Sequence, residues 1–171
     1  MSRQPILSIS RSSRTNKTPV AIRHFVSADM SVERIQELLG GEGLTGPLHN
    51  ERDIVRLVRR GLPTQAVDHF LSTSGISFNA LEPKVLSLRT FKRRKKLEQL
   101  LEQDESDRML RVVGIVAAAE ETFGSAEKAQ EWLNRCSRAL DGETPIAMAD
   151  TDRGARAVEA LLGRIGHGIA A

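Results

Sequence analysis

The stretch from Glu105 to Thr122, "ESDRMLRVVGIVAAAEET", constrains the fold more than any other. Met109, Val112, Val113, Val116, Ala119 and Phe123 fall on one stripe about 120° wide on an ideal helical wheel. A long helix with such a stripe has to bury it against other elements. Gly124 is its expected C-terminal stop, and Ser125 caps a following helix containing Ala129, Trp132 and Leu133.

The rest of the chain reads as helical too. There is no Tyr and one Trp, and Val, Ile and Thr rarely line up in alternating runs. The expected fold class is all-α. The length of 171 residues allows one medium domain or two small ones. No apolar run approaches the ~20 residues of a membrane span. The opening "MSRQPILSIS" lacks the apolar core of a signal peptide, and one cysteine, Cys136, cannot form an internal disulfide. A soluble, cytoplasmic protein without a membrane partner is the expectation.

Punctuation residues divide the chain. Residues 1–30 are polar and turn-rich, expected as a flexible arm. Ser31 is the expected N-cap of a helix stopped by Gly40 and Gly41, with "GEGLTGPLHN" as a connection. Asn50 opens a second helix with Asp53 in its first turn, and Gly61 to Pro63 end it. A third helix spans about Thr64 to Ser72. Ser77 caps a short segment ended by Pro83. Further on, Thr144 and Thr151 cap two more helices, the first with Pro145 at its first position.

Between them lies "SLRTFKRRKKLEQLL", with six basic side chains in the eight positions from Arg89 to Lys96. Leu88 and Phe91 share a face with Lys95, while Leu97, Leu100 and Leu101 fall on the far side. One straight helix cannot bury both sets, so the basic helix is expected to run from Ser87, its N-cap, to about Lys95 or Lys96. A short segment, a turn at Lys84–Leu86 and a short basic helix make a helix-turn-helix outline. A charge run is most often plain solvated surface. Here seven cations, Lys84, Arg89, Lys92, Arg93, Arg94, Lys95 and Lys96, occur without an acid among residues 83–97. Arg can bond guanine bidentately, and Lys and Ser hold phosphates. The expected nucleic-acid contacts are Lys84, Ser87, Arg89, Thr90, Lys92, Arg93 and Lys96, with free N–H groups near Ser87 also available to a phosphate.

Net charge is +2 over residues 1–49, +4 over 50–104 and −3 over 105–171. A basic middle joined to an acidic end points to two surfaces with different partners. Catalysis finds no support. His24, His49, His69 and His167 are scattered without metal-ligand spacing, and "GGEG" lacks the Lys-Ser/Thr ending of a phosphate loop. No metal, cofactor or enzymatic activity is expected.

Three motifs in the C-terminal half carry a resemblance. They are FG-x-x-E-x-A-x-x-W-L at Phe123 to Leu133, L-x-G-x-x-P at Leu140 to Pro145, and D-T-x-x-G-x-x-x-V at Asp150 to Val158. In the middle, S-x-R-T-x-x-R-R matches at Ser87, Arg89, Thr90, Arg93 and Arg94. The chain resembles the Xre/MbcA/ParS-type antitoxins that partner RES-domain toxins, over roughly residues 50–171. It departs from that pattern at Leu81, Pro83 and Val85, the last standing where a glycine is usual, and at Cys136.

The resemblance implies an Xre-like helix-turn-helix domain over 31–104 that dimerises and binds operator DNA. It implies a toxin-binding domain over 105–171 that covers the NAD-binding cleft of the toxin. Toxin contacts implied are Trp132, Asp150, Thr151, Arg153, Gly154, Arg164, His167 and Gly168. A homodimer, or a larger hetero-oligomer with toxin, is expected. Two alternatives stay open: a toxin-binding module with little DNA function, and a stand-alone helix-turn-helix regulator.

Overall fold

The computed structural model describes residues 28–168. The expected arm over 1–30 therefore lies, up to residue 27, outside the described residues. Ten helices follow in order: α1 Ala28–Leu38, α2 Glu42–Thr45, α3 Glu51–Arg60, α4 Thr64–Ser74, α5 Phe78–Leu81, α6 Leu88–Lys96, α7 Gln103–Phe123, α8 Ala126–Leu133, α9 Pro145–Met148 and α10 Asp152–Gly166. A single 3₁₀ turn, Arg138–Leu140, precedes α9. The described residues contain no strand. None of their helices is long and apolar enough to cross a membrane.

Local capping explains most of these boundaries. Asn50 accepts from the Arg52 amide, Ser125 from Lys128, Thr144 from Ala147 and Thr151 from Gly154. The α7 start carries a reciprocal capping box between Glu102 and Glu105. Three expectations give way. Ser77 stands at the head of α5 but makes no side-chain capping bond there. Ser31 lies inside α1, not at its cap, because the preceding residues continue the helix. The expected connection after Gly41 contains the one-turn helix α2.

The order of packing is set by α7. Five residues of its apolar stripe are buried as expected, Met109, Val112, Val113 and Ala119 at 0 % exposure and Val116 at 1 %, while Phe123 at its end is half-buried. Leu110, Ile115 and Ala117, outside the stripe, are buried as well. The reason is that α7 has many neighbours: α1, α3, α4, α8 and α10 all pack against it. α10 runs alongside α7 in the same direction. The Arg111 guanidinium donates to the Asp150 carbonyl just ahead of α10 (3.1 Å), and Gly166 at its end lies near Thr122. One apolar core runs through both halves of the molecule.

Polar contacts fix the inner register. The Leu62 amide, at the α3–α4 corner, donates to the buried Ser106 hydroxyl on α7 (2.9 Å). The Leu101 amide donates to the Leu62 carbonyl (2.9 Å), joining the link before α7 to the same corner. Gly61 has φ +96°, and a β-carbon there would lie 2.4 Å from the Leu101 carbonyl oxygen. That close approach requires glycine. On the other side Glu120, buried on α7, pairs with Arg34 of α1 (2.7 Å). The hydrogen bond to Glu120 is the main reason the Arg34 pKa rises above its ordinary value.

Ser106→Ala removes the acceptor for a buried backbone N–H. It should destabilise the chain by about 1–3 kcal/mol, read from the urea midpoint at unchanged slope.

Candidate nucleic-acid interface and partner face

The basic helix α6 runs Leu88–Lys96 with Ser87 as N-cap, as the opposing apolar sets required. The Ser87 hydroxyl accepts from the Thr90 amide (3.2 Å) and is 3.0 Å from the Thr90 hydroxyl. Its C-terminal end is a Schellman motif. Gln99 N–H donates to the Arg94 carbonyl and Glu98 N–H to the Lys95 carbonyl, with Glu98 at φ +53°. This stop uses a glutamate where glycine is usual. Beyond it Leu101 is buried, but Leu97 and Leu100 are 55 % and 42 % exposed. The apolar residues that argued for a change of direction are thus only partly buried by it.

The cations of the run divide into two kinds. Phe91 and Arg94 are buried, at 5 % and 6 % exposure. Arg94 donates to Glu102, and its Nε lies 2.8 Å from Glu105. Burial opposes its charge, but the hydrogen bonds to Glu102 and Glu105 outweigh that, and the net pKa shift is upward. Lys95 pairs with Asp68 of α4 (2.7 Å) and sits over the Phe91 ring at 6.0 Å from its centroid. Arg89, Lys92, Arg93 and Lys96 are exposed. Their spacing of i, i+3, i+4 and i+7 puts them within about 100° on the wheel, opposite Phe91 and Arg94. Arg89, Lys92 and Lys96 form no ion pair among the described residues, and Arg93 acts on Glu102 through space.

The front end of α6 is different. The Leu88 amide, expected to be open to a phosphate, donates to the Glu82 carboxylate (3.1 Å). Lys84 pairs with Asp150 (3.5 Å), so an expected DNA contact meets an expected toxin contact. Val85 is buried, and its carbonyl accepts from Arg108 of α7 (3.0 Å). Its φ is not positive, so the turn there does not need the usual glycine. Glu105 and Arg108, one helical turn apart on α7, thereby hold the two ends of α6. Neither they nor Glu82 could be singled out from spacing alone, because their partners lie in other elements.

The expected toxin contacts also divide. Trp132 is half-buried and packs against Phe123, ring centroids 5.6 Å apart. Asp150 and Thr151 form the α9–α10 corner, with Thr151 capping α10. Gly154 is buried there, and a β-carbon on it would lie 2.0 Å from the Met148 carbonyl oxygen. These residues shape the fold. Arg153 and Arg164 are exposed and fall within about 20° on the α10 wheel. His167 and Gly168 follow at its end, exposed, with His167 Nδ1 2.5 Å from the Gly163 carbonyl oxygen. Among the described residues no group of His, Cys, Asp and Glu is placed to hold a metal ion.

Comparison with known proteins finds two matched families along the chain. The family described as antitoxin Xre-like helix-turn-helix domain matches residues 53–114. The antitoxin Xre/MbcA/ParS C-terminal toxin-binding domain matches residues 118–168. "Antitoxin Xre" of Photorhabdus laumondii is 35 % identical over 115 residues, 66 % of this chain and 78 % of that protein. The chain belongs to the Xre antitoxin family. "Antitoxin Xre" of Pseudomonas putida is 38 % identical over 98 residues, 57 % of this chain and 62 % of its own length. The Yersinia enterocolitica "Antitoxin Xre" is 32 % identical over 82 residues, 47 % of this chain and 55 % of that relative. The chain thus spans less than two thirds of two of these Xre relatives. The two matched stretches end and begin inside α7, leaving residues 115–117 between them. α1 and α2 lie outside both.

Arg94→Met leaves Glu105 without its counter-charge inside the protein. It should cost about 2 kcal/mol in urea denaturation. The hydrogen bond from Arg94 holds the Glu102 pKa below the ordinary 4.5. The stabilisation from this pair is therefore complete above that value and lost as pH falls through the lowered one. Arg94→Met should flatten this acid-side loss.

Proposed function

We propose that this Xre-family chain is the antitoxin of a toxin–antitoxin pair, with two working surfaces and no catalytic role. One surface is the exposed stripe Arg89, Lys92, Arg93 and Lys96 on α6, which binds operator DNA and represses the chain's own operon. The other is the outer face and end of α10, with Arg153, Arg164, His167 and Gly168, which binds a RES-domain toxin and covers its NAD-binding cleft. The observation that carries the reading is the sorting of the basic run. Four cations project on one face, while Arg94 and Lys95 are paired with acids of the same chain. A helix of nine residues with a cationic outer stripe fits a major groove, where Arg contacts base edges and Lys contacts phosphates. The resemblance to RES-partnering antitoxins supplies the toxin class, and a homodimer of such chains would present two basic helices to a two-fold operator.

A second reading, a toxin-binding module with little DNA function, draws support from the front end of α6. There Glu82 and Asp150 already occupy the Leu88 amide and Lys84.

The pair of substitutions Arg89→Ala and Arg93→Ala distinguishes them. On the first reading it abolishes a gel shift with the duplex upstream of the chain's own gene and flattens the log–log salt slope by roughly 0.9 per lost phosphate contact. Growth rescue of cells expressing the neighbouring toxin should survive. An unchanged DNA affinity favours the second reading.

A further inference from the structure

The two ends of the basic stripe differ in a way that the DNA reading leaves unexplained. Arg89, Lys92 and Lys96 make no ion pair among the described residues. Just ahead of them, three groups suited to a phosphate are already engaged. The Leu88 N–H, at the positive end of α6, faces the Glu82 carboxylate at 3.1 Å. The Lys84 ammonium faces the Asp150 carboxylate at 3.5 Å. The Ser87 hydroxyl is taken by Thr90.

Two carboxylates from different places in the chain therefore occupy the Leu88 N–H and the Lys84 ammonium. Both hold the same kinds of donor that a phosphate would use. Glu82 is exposed and not a core residue. Asp150 is more enclosed, with its side chain 21 % exposed and its backbone carbonyl fixed by Arg111 at 3.1 Å. Lys84, by contrast, is 62 % exposed and on a flexible stem, so it can leave the pair while Asp150 stays.

We propose that Glu82 and Asp150 are affinity-setting residues of the nucleic-acid interface: each competes, as an internal carboxylate, with DNA phosphate for the front end of α6. This rests on the reading of α6 as a DNA-binding helix. Because Asp150 sits at the head of α10, the same contact joins the DNA-binding end to the partner face.

Glu82→Gln and Asp150→Asn remove the charges and keep the shapes and the hydrogen-bond acceptors. The full-length chain and its variants are titrated by fluorescence anisotropy into the duplex upstream of its own gene, with a scrambled duplex of equal length alongside, across a range of salt. Glu82→Gln should tighten binding roughly two- to fivefold, the scale of one charge at a helix end. Asp150→Asn should tighten binding by up to about fivefold, and its salt slope should steepen by about 0.9 as Lys84 joins a phosphate. In a Lys84→Ala background, Asp150→Asn should do neither.

A carboxylate that serves only as a cap would leave the affinity unchanged in Glu82→Gln, since Gln keeps the acceptor. If both single variants bind as the parent does, while Arg89→Ala with Arg93→Ala still abolishes binding, the competition is wrong and the DNA reading stands. Tightening by Asp150→Asn that persists without Lys84 also overturns the Asp150 half. If the parent and all variants leave the anisotropy of both duplexes unchanged, the DNA reading fails and the competition with it. Binding gained only by the charge-removed variants supports the competition.

Discussion

The fold depends on α7 being buried from several directions at once. A surface helix hides one stripe and shows the rest to water, but this helix hides Leu110, Ile115 and Ala117 in addition to its stripe. It can do so because α1, α3, α4, α8 and α10 all pack against it. Its polar residues are used as positioning groups. Ser106 receives the α3–α4 corner, Glu105 and Arg108 hold the two ends of α6, Arg111 fixes the α9–α10 corner, and Glu120 receives Arg34. The basic helix and the partner face are thus both held by residues of one helix.

This arrangement changes what the cationic run means. Seven cations without a nearby acid in sequence look uniform. In space, Arg94 anchors the helix, Lys95 ties it to α4, and Lys84 ties its turn to Asp150. The remaining four form the outer stripe. A basic run here is partly structure and partly surface.

Much of this was legible in the sequence where short-range rules apply. Asn50, Ser87, Ser125, Thr144 and Thr151 cap the helices they were read to cap, because an N-cap needs only an oxygen two or three residues ahead of an open amide. The α7 stripe was legible because periodicity reports burial. The same wheel could have flagged Arg94, three residues after Phe91 and on the inward side. What the sequence does not carry is pairing across elements. Glu105, Arg108 and Asp150 are remote from α6 in the chain, so no spacing rule connects them to it. The glutamate at Glu98 is equally silent, since residues other than glycine seldom take a left-handed conformation. Of the candidate toxin contacts, Gly154 and Thr151 have evident structural tasks, and Arg153 and Arg164 face solvent together.

Hydrogen–deuterium exchange tests the division between two surfaces held by one helix most directly. The full-length chain would be compared alone, with the duplex upstream of its gene, and with the toxin co-expressed from the neighbouring gene. With separate surfaces, DNA adds protection over 84–96 and the toxin adds it over 150–168, while the middle of α7 is slow to exchange in all three states. Protection of 84–96 by the toxin alone, or a fast-exchanging α7 in the free chain, would contradict it.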